Sequence, residues 1–211
     1  MYSSKIEGVD IELDSYLKHK LLGVKFLADY TKKADDLFEA YSLARSKILS
    51  EKSLLEAHKL ITKNFLRASE RGRWRNVPMF VMGGERILYV ATESAEVKSE
   101  LKKFFADLKI LSRVKLTLKE TFFYASILHL IFLNIHPLND GNGRTARLLE
   151  KWFLASKLGD KAWQISSEKY YYQHKNEYYH NLQCIGFEYD TMNYSNGVPF
   201  LNMLTDSLLN E

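Results

Sequence analysis

Residues 117–136 are apolar on nearly every side of a helical wheel, with Phe122, Phe123, Tyr124, Ile127, Leu128, Leu130, Ile131, Phe132 and Leu133 leaving no polar face. Such a helix has to be surrounded, so the segment predicts a buried, central helix with other elements packed around it. Those partners are expected to be helices as well, because only 3 prolines and 10 glycines interrupt the 211 residues. Apolar positions recur at helical spacing at Leu17, Leu21, Val24 and Leu27, then at Leu37, Phe38, Tyr41, Ala44 and Ile48. They read as two helices between about 14 and 50, with a break near 32–34. Ser53 is an N-cap candidate for a helix carrying Leu54, Leu55, Ala57, Leu60 and Ile61, with Glu56 completing a capping box. Further helices are expected over about 97–108 and 143–157, the second closed by Gly159. One or two more should cover the end of the chain, where Tyr170, Tyr171, Tyr172, Tyr178 and Tyr179 cluster.

One stretch departs from this pattern. Met79, Phe80, Val81 and Met82, then Gly83-Gly84-Glu85, then residues 86–90 form two β-prone runs around a glycine turn, the signature of a hairpin. A lone hairpin is marginal in water, so it must pack on the helices or pair with something else. The fold class expected is mainly α with one hairpin.

Composition narrows the function classes. Thirty basic against 26 acidic residues give a net charge of +4, too weak without a dense basic block to argue for nucleic acid or an anionic membrane. A single cysteine, Cys184, excludes a disulfide framework. Residues 1–8 hold no apolar run suited to a secretion signal, and the stretch 122–135 is short and interrupted by His129 and Asn134. A cytoplasmic domain is expected.

The chemistry lies in residues 136–147, His-Pro-Leu-Asn-Asp-Gly-Asn-Gly-Arg-Thr-Ala-Arg. Pro137 ends the buried helix, so His136 is delivered at the end of a rigid element. Gly141-Asn142-Gly143 makes a tight loop into the next helix, whose first-turn N–H groups lack intrahelical partners and whose dipole end is positive. Small residues there let an anion approach the backbone, which suggests a phosphate site. Arg144 and Arg147, three apart, can both clamp phosphate oxygens. Asp140 would repel a phosphate unless a divalent cation lies between them, so it predicts Mg²⁺. A histidine beside such a site is placed as a general base. Taken singly, each feature has a plainer reading: a helix end, a turn, two surface arginines. Together within one short segment they point to phosphoryl or nucleotidyl transfer.

The segment resembles the signature of Fic domains, H-x-F-x-D/E-G-N-G-R-x-x-R, with Leu138 where the family usually has Phe. Weaker likeness extends to residues 52–58, to Gly72-Arg-Trp-Arg75, to His129 and to Tyr178-Tyr179. The resemblance implies a compact helical domain over 14–211, with a β-hairpin flap (about 79–90) beside the active site and the signature loop at 136–147. It implies transfer of AMP from ATP to a protein hydroxyl on Tyr, Ser or Thr, the chain itself included. His136 would deprotonate the acceptor and Asp140 would hold Mg²⁺ between the α- and β-phosphates. Gly141, Asn142 and Gly143 would cradle those phosphates, with Arg144 and Arg147 on the outer ones and Tyr178 beside the adenosine. Met79, Phe80, Val81 and Met82 of the flap would dock the target, and Phe80 and Val81 would also border the nucleotide. The swap at Leu138 touches packing rather than chemistry.

Residues 3–8, Ser-Ser-Lys-Ile-Glu-Gly, resemble the inhibitory S/T-x-x-x-E-G/N motif of some Fic proteins, which assigns residues 1–13 to an inhibitory segment. There the glutamate, here Glu7, pairs with the second signature arginine, here Arg147. Ser4-x-x-Glu7 is equally readable as an ordinary capping box. Rival readings keep the pocket but change its use: another phosphate-containing donor, removal of AMP with Glu7 orienting water, or a non-catalytic nucleotide-binding module. A nucleic-acid reading would use residues 71–75, although a solvated turn explains them better. His174, Glu177 and His180 do not share one face as zinc ligands would, and His129 reads as a satisfied core histidine.

Overall fold

Thr117 and Glu120 start the central helix by reciprocal capping: the Glu120 carboxylate takes the Thr117 N–H at 2.8 Å, and the Thr117 hydroxyl accepts the Glu120 N–H. A computed structural model describes residues 2–8 and 31–209, so the helix expected around Leu17–Leu27 lies outside the described residues. The elements run α1 (Tyr2–Ile6), α2 (Lys32–Ser46), α3 (Glu51–Ile61), β1 (Phe80–Gly83), β2 (Arg86–Val90), α4 (Val97–Arg113) and α5 (Leu118–Ile135). They continue with α6 (Asn142–Leu158), α7 (Ser167–Gln173), α8 (Lys175–Gln183) and α9 (Val198–Leu209), with short 3₁₀ turns between. The fold is mainly helical with one antiparallel hairpin.

Three boundaries differ from expectation, each for a local reason. The α3 cap is Ser50 rather than Ser53: Ser53 supplies the return bond of the capping box, while Glu56 pairs with Lys47 instead. No glycine or proline stops α4 after Leu108, so it runs on to Arg113. The tyrosine-rich end forms three helices, because the backbone breaks at His174 between α7 and α8.

Helices α5 and α6 form the centre, and three clusters share them. Leu54, Phe104, Phe122, Phe132, Leu138, Leu149 and Phe153 fill the first, between α3, α4, α5 and α6. Leu37, Ala40, Ile61, Leu148 and Trp152 fill the second, against α2 and α3. The third joins Ile6 of α1 to Leu130, Tyr171, Tyr178 and Phe200. Helix α5 as a whole, longer than the 122–135 stretch, is by length and composition apolar enough to cross a membrane. However, 61% of it is buried among the other helices, as befits a core helix.

Helix α6 is buried even on its charged side. Arg147 and Lys151 pair with Glu7 and Glu168, and Glu150 accepts hydrogen bonds from His129 and Tyr171. Charges removed from water need such partners.

Candidate active site

A cavity of about 490 Å³ opens at the junction of α5 and α6, with the hairpin along one wall and residues after α1 and along α8 on another. That is within the usual range for a small-molecule site. His136, Asp140, Gly141, Asn142, Gly143, Arg147, Glu7 and Tyr178 all line it.

His136 is the C-cap of α5 at φ 48°, ψ 55°, the only non-glycine with positive φ among the described residues. Left-handed backbone costs an L-residue about 1–2 kcal/mol. In that position Nδ1 lies 3.1 Å from the Leu133 carbonyl. A carbonyl can only accept, so Nδ1 carries the ring proton and Nε2 keeps its lone pair. Burial pushes the imidazole down to about 4; the Leu133 carbonyl opposes this, Arg75 adds to it, and Glu7 and Asp140 oppose it. At neutral pH the ring is therefore uncharged, and Nε2 is able to take a proton.

Arg75 holds that strained backbone. Its Nε donates to the His136 carbonyl at 2.7 Å and its Nη2 to the Ile135 carbonyl at 3.2 Å, while its main-chain N–H donates to Pro137. The last carbonyls of a helix lack intrahelical donors, and this guanidinium supplies them. Residues 71–73 do form a turn with Arg73 exposed, but the expectation fails at Arg75, which is 3% exposed and out of reach of a nucleic-acid backbone.

The loop closes on itself. Asn142 accepts the Leu138 N–H through Oδ1 and donates to the Leu138 carbonyl through Nδ2. Its side chain is thereby committed, and what it offers an anion is its main-chain N–H. Leu138 itself is fully buried in the first cluster, where it plugs the core. His58 of α3 donates from Nε2 to the Asp140 carbonyl at 3.0 Å, and its Nδ1 accepts the Gly72 N–H. Burial pushes His58 down to about 4, and this pattern needs the neutral ring. Gly141 stands at φ 78° and has no side chain to cap α6, which leaves the first-turn N–H groups beside the cavity without a side-chain cap.

The two arginines diverge. Arg147 is fully buried and donates to the Ser3 hydroxyl (2.8 Å) and the Ser3 carbonyl (2.9 Å), and to Glu7 Oε1 (2.7 Å). Arg144 does not line the cavity. Its guanidinium lies 4.0 Å over the Phe65 ring and 3.6 Å from Asp140 Oδ1. Their different neighbours, Ser3 on α1 and Phe65 just after α3, pull apart two side chains that spacing alone placed together.

Burial pushes the Glu7 carboxyl up, but the charge and hydrogen bond of Arg147, with Arg144 and Lys175, hold it below its usual range. The carboxylate rests directly on Gly143, where a Cβ would meet Glu7 Oε1 at 2.5 Å. Ser3 and Ser4 lie inside α1 and Glu7 just beyond it, so the capping-box reading is excluded. Tyr178 lines the cavity, but its hydroxyl turns inward, 3.4 Å from Arg147 Nη1 and 3.1 Å from His129 Nε2. His129 in turn donates from Nδ1 to Glu150, which also accepts the Tyr171 hydroxyl.

Asp140 reaches the cavity rim with a half-exposed side chain. Its Oδ1 accepts the Gly141 N–H, and Oδ2 has no partner among the described residues. No group of three His, Cys, Asp or Glu side chains stands ready to hold an ion among the described residues. One half-exposed carboxylate beside an anion loop suits Mg²⁺, which keeps several waters and shares phosphate oxygens.

In the hairpin Phe80 pairs with Val90, Val81 with Tyr89, and Met82 with Ile87, with a bulge between Val81 and Met82. Val81, Met82, Leu88 and Tyr89 line the cavity. Phe80 is exposed and does not, which corrects its expected place at the nucleotide. Sequence reasoning gave no role to Arg75, His58 or Glu150. His58 was findable, since it shares the buried stripe of α3 with Leu54, Ala57 and Ile61.

No curated protein sequence matches the chain. Solved structures do resemble it. A Fic family protein from Desulfovibrio desulfuricans G20 is 22% identical with a TM-score of 0.81, over 99% of this chain and 60% of that one. A Fic domain containing signaling protein from Bacteroides thetaiotaomicron VPI-5482 is 19% identical with a TM-score of 0.76, over 99% of this chain and 81% of that one. Fic-1 from C. elegans gives 19% and 0.70, and 58% of that chain is covered. The chain thus spans about 60% of the length of the first of these. At such identities the likeness speaks for the fold, but residues 48–154 also match a sequence family in their own right, and by that match the chain belongs to the Fic/DOC family.

Proposed function

We propose that this chain is a cytoplasmic protein adenylyltransferase: it moves AMP from ATP to a Tyr, Ser or Thr hydroxyl of a target protein or of itself. The observation that carries the reading is a neutral histidine whose Nε2 has no partner among the described residues, in one cavity with an uncapped helix N-terminus and a buried arginine. The acceptor hydroxyl gives its proton to His136 Nε2 as its oxygen bonds to the α-phosphorus. The bond from that phosphorus to the bridging oxygen breaks, and pyrophosphate leaves. Main-chain N–H groups of the α6 first turn hold the α- and β-phosphates, and Arg147 takes the outer ones, with Arg144 adding charge from its stack on Phe65. Asp140 would hold Mg²⁺, which would neutralise phosphate charge. Glu7 holds the site in check by occupying Arg147.

ATP labelled at the α- or the γ-phosphate tests this directly, read by transfer to protein. Retention of the α-label alone supports AMP transfer. Retention of the γ-label means phosphoryl transfer, and retention of neither means a binding module. Asp140→Asn is expected to cut Mg²⁺-dependent transfer far more than nucleotide binding measured without metal. Titration with and without Mg²⁺ decides, since equal losses would leave Asp140 a purely structural part.

The outer edge of β1 has no strand neighbour among the described residues. An extended target segment can pair there, so that main-chain hydrogen bonds place its hydroxyl near His136. Val81→Pro removes one donor and distorts that strand. Transfer to a protein acceptor should fall far more than ATP affinity, and unchanged transfer eliminates docking at this edge.

A further inference from the structure

Arg75 lies behind the cavity and does not line it. Its guanidinium nevertheless reaches three separate stretches of backbone. Besides the His136 and Ile135 carbonyls, Nη1 donates to Val77 at 2.7 Å and Nη2 to Thr92 at 2.5 Å. Val77 enters β1 and Thr92 leaves β2, so they are the two stems of the hairpin. We propose that Arg75 is the positioning residue that locks the catalytic base to the flap. Through it, the hydroxyl of a segment docked on β1 meets Nε2 at a set place.

The chemistry favours arginine here over any other cation. Arg75 forms no salt bridge with a carboxylate among the described residues, and all its acceptors are carbonyls. Two of them end α5, where the helix dipole is negative and welcomes a positive charge. The planar fork sends donors in fixed directions to all four oxygens, which the compact ammonium of lysine cannot do. The hairpin has other anchors: Tyr89 donates to the Asn134 carbonyl at 2.6 Å and the Val90 N–H to Phe187. Those anchors hold only β2, whereas Arg75, alone among the described residues, bonds both stems and the backbone of the base. Loss of the fork therefore frees the base and the flap to move independently, and a misplacement of 1 Å costs on the order of 10²-fold in rate.

This inference rests on the reading of His136 as base, so the test has one arm that needs no catalysis. With Glu7→Gly as parent, Arg75→Lys should lower kcat by about 10–10²-fold while KM for ATP stays within about threefold. Arg75→Ala should regain part of the lost kcat on addition of guanidinium, and none on addition of ammonium. Separately, amide exchange at Ala91, whose N–H closes the hairpin stem on Met79, and at His136, bonded to Phe132, should accelerate together in Arg75→Lys. Parental kcat in Arg75→Lys, or a loss shared equally by ATP affinity, overturns the proposal. If the parent transfers nothing, the base reading has failed, and the exchange arm still decides: faster exchange at both amides upholds the coupling, and unchanged exchange refutes it.

Discussion

His136→Ala is expected to lower AMP transfer by about 10²–10⁴-fold while nucleotide still binds, the usual cost of losing a general base. Among the described residues the ring makes one hydrogen bond, from Nδ1 to the Leu133 carbonyl. The phosphate contacts are expected from the α6 first turn and Arg147, which do not pass through it. The pH profile supplies an independent check. Because burial holds the imidazole at about 4, the base is lost only as pH falls through that value, and activity is retained above it. In kcat/KM, which reports the free enzyme, the limb due to His136 therefore lies near pH 4. Near-wild-type turnover in the alanine variant would remove His136 from the role of base.

Glu7→Gly should raise transfer roughly ten-fold or more: it releases the buried Arg147 from a partly exposed carboxylate, and a gain of ~1.4 kcal/mol in productive ATP binding is tenfold. In the wild type the carboxylate takes an Nη2 hydrogen of Arg147 and rests on Gly143 at the positive end of α6. It thus fills a place suited to a phosphate and adds repulsion to any phosphate that approaches. Once it is removed, Arg147 keeps its bonds to Ser3 and Tyr178, so the clamp remains oriented rather than collapsing. Arg147→Ala breaks the same pair but deletes the clamp, and its activity should stay low. AMP incorporation measured side by side for the three proteins decides, and a silent Glu7→Gly variant sinks the inhibitory role.

Much of this architecture was legible because it is written in local rules. The apolar wheel of 117–136 required a buried helix, and Gly159 marked the end of α6. Gly83 and Gly84, just ahead of Glu85, marked the hairpin. The loop segment was legible for another reason: unlike residue types crowd into it that no single structural role explains. What escaped depends on contacts between distant parts of the chain. Arg75 looks like any turn arginine until the helix end it serves is placed 61 residues away. Arg144 and Arg147 share a spacing, yet Phe65 draws one and Ser3 the other. Glu150 and Lys151 gave no local signal, because their partners His129 and Glu168 lie on other helices. The Glu7–Arg147 pair spans 140 residues and was visible only through a motif.

The left-handed backbone at His136 sets two selective pressures against each other at one position. Glycine accepts that conformation without penalty and asparagine with little. A search for thermal robustness alone would therefore replace the histidine, as would a design method that scores backbone fit. Retaining an imidazole there means that the fold forgoes about 1–2 kcal/mol of a net stability that is only about 5–15 kcal/mol for a typical domain. Consensus or ancestral substitutions that harden the rest of the scaffold thus enlarge the margin from which this residue draws, and variants burdened elsewhere shrink it. In this chain the reactive position and the least comfortable backbone coincide, so drift in overall robustness bears first on the capacity to keep it.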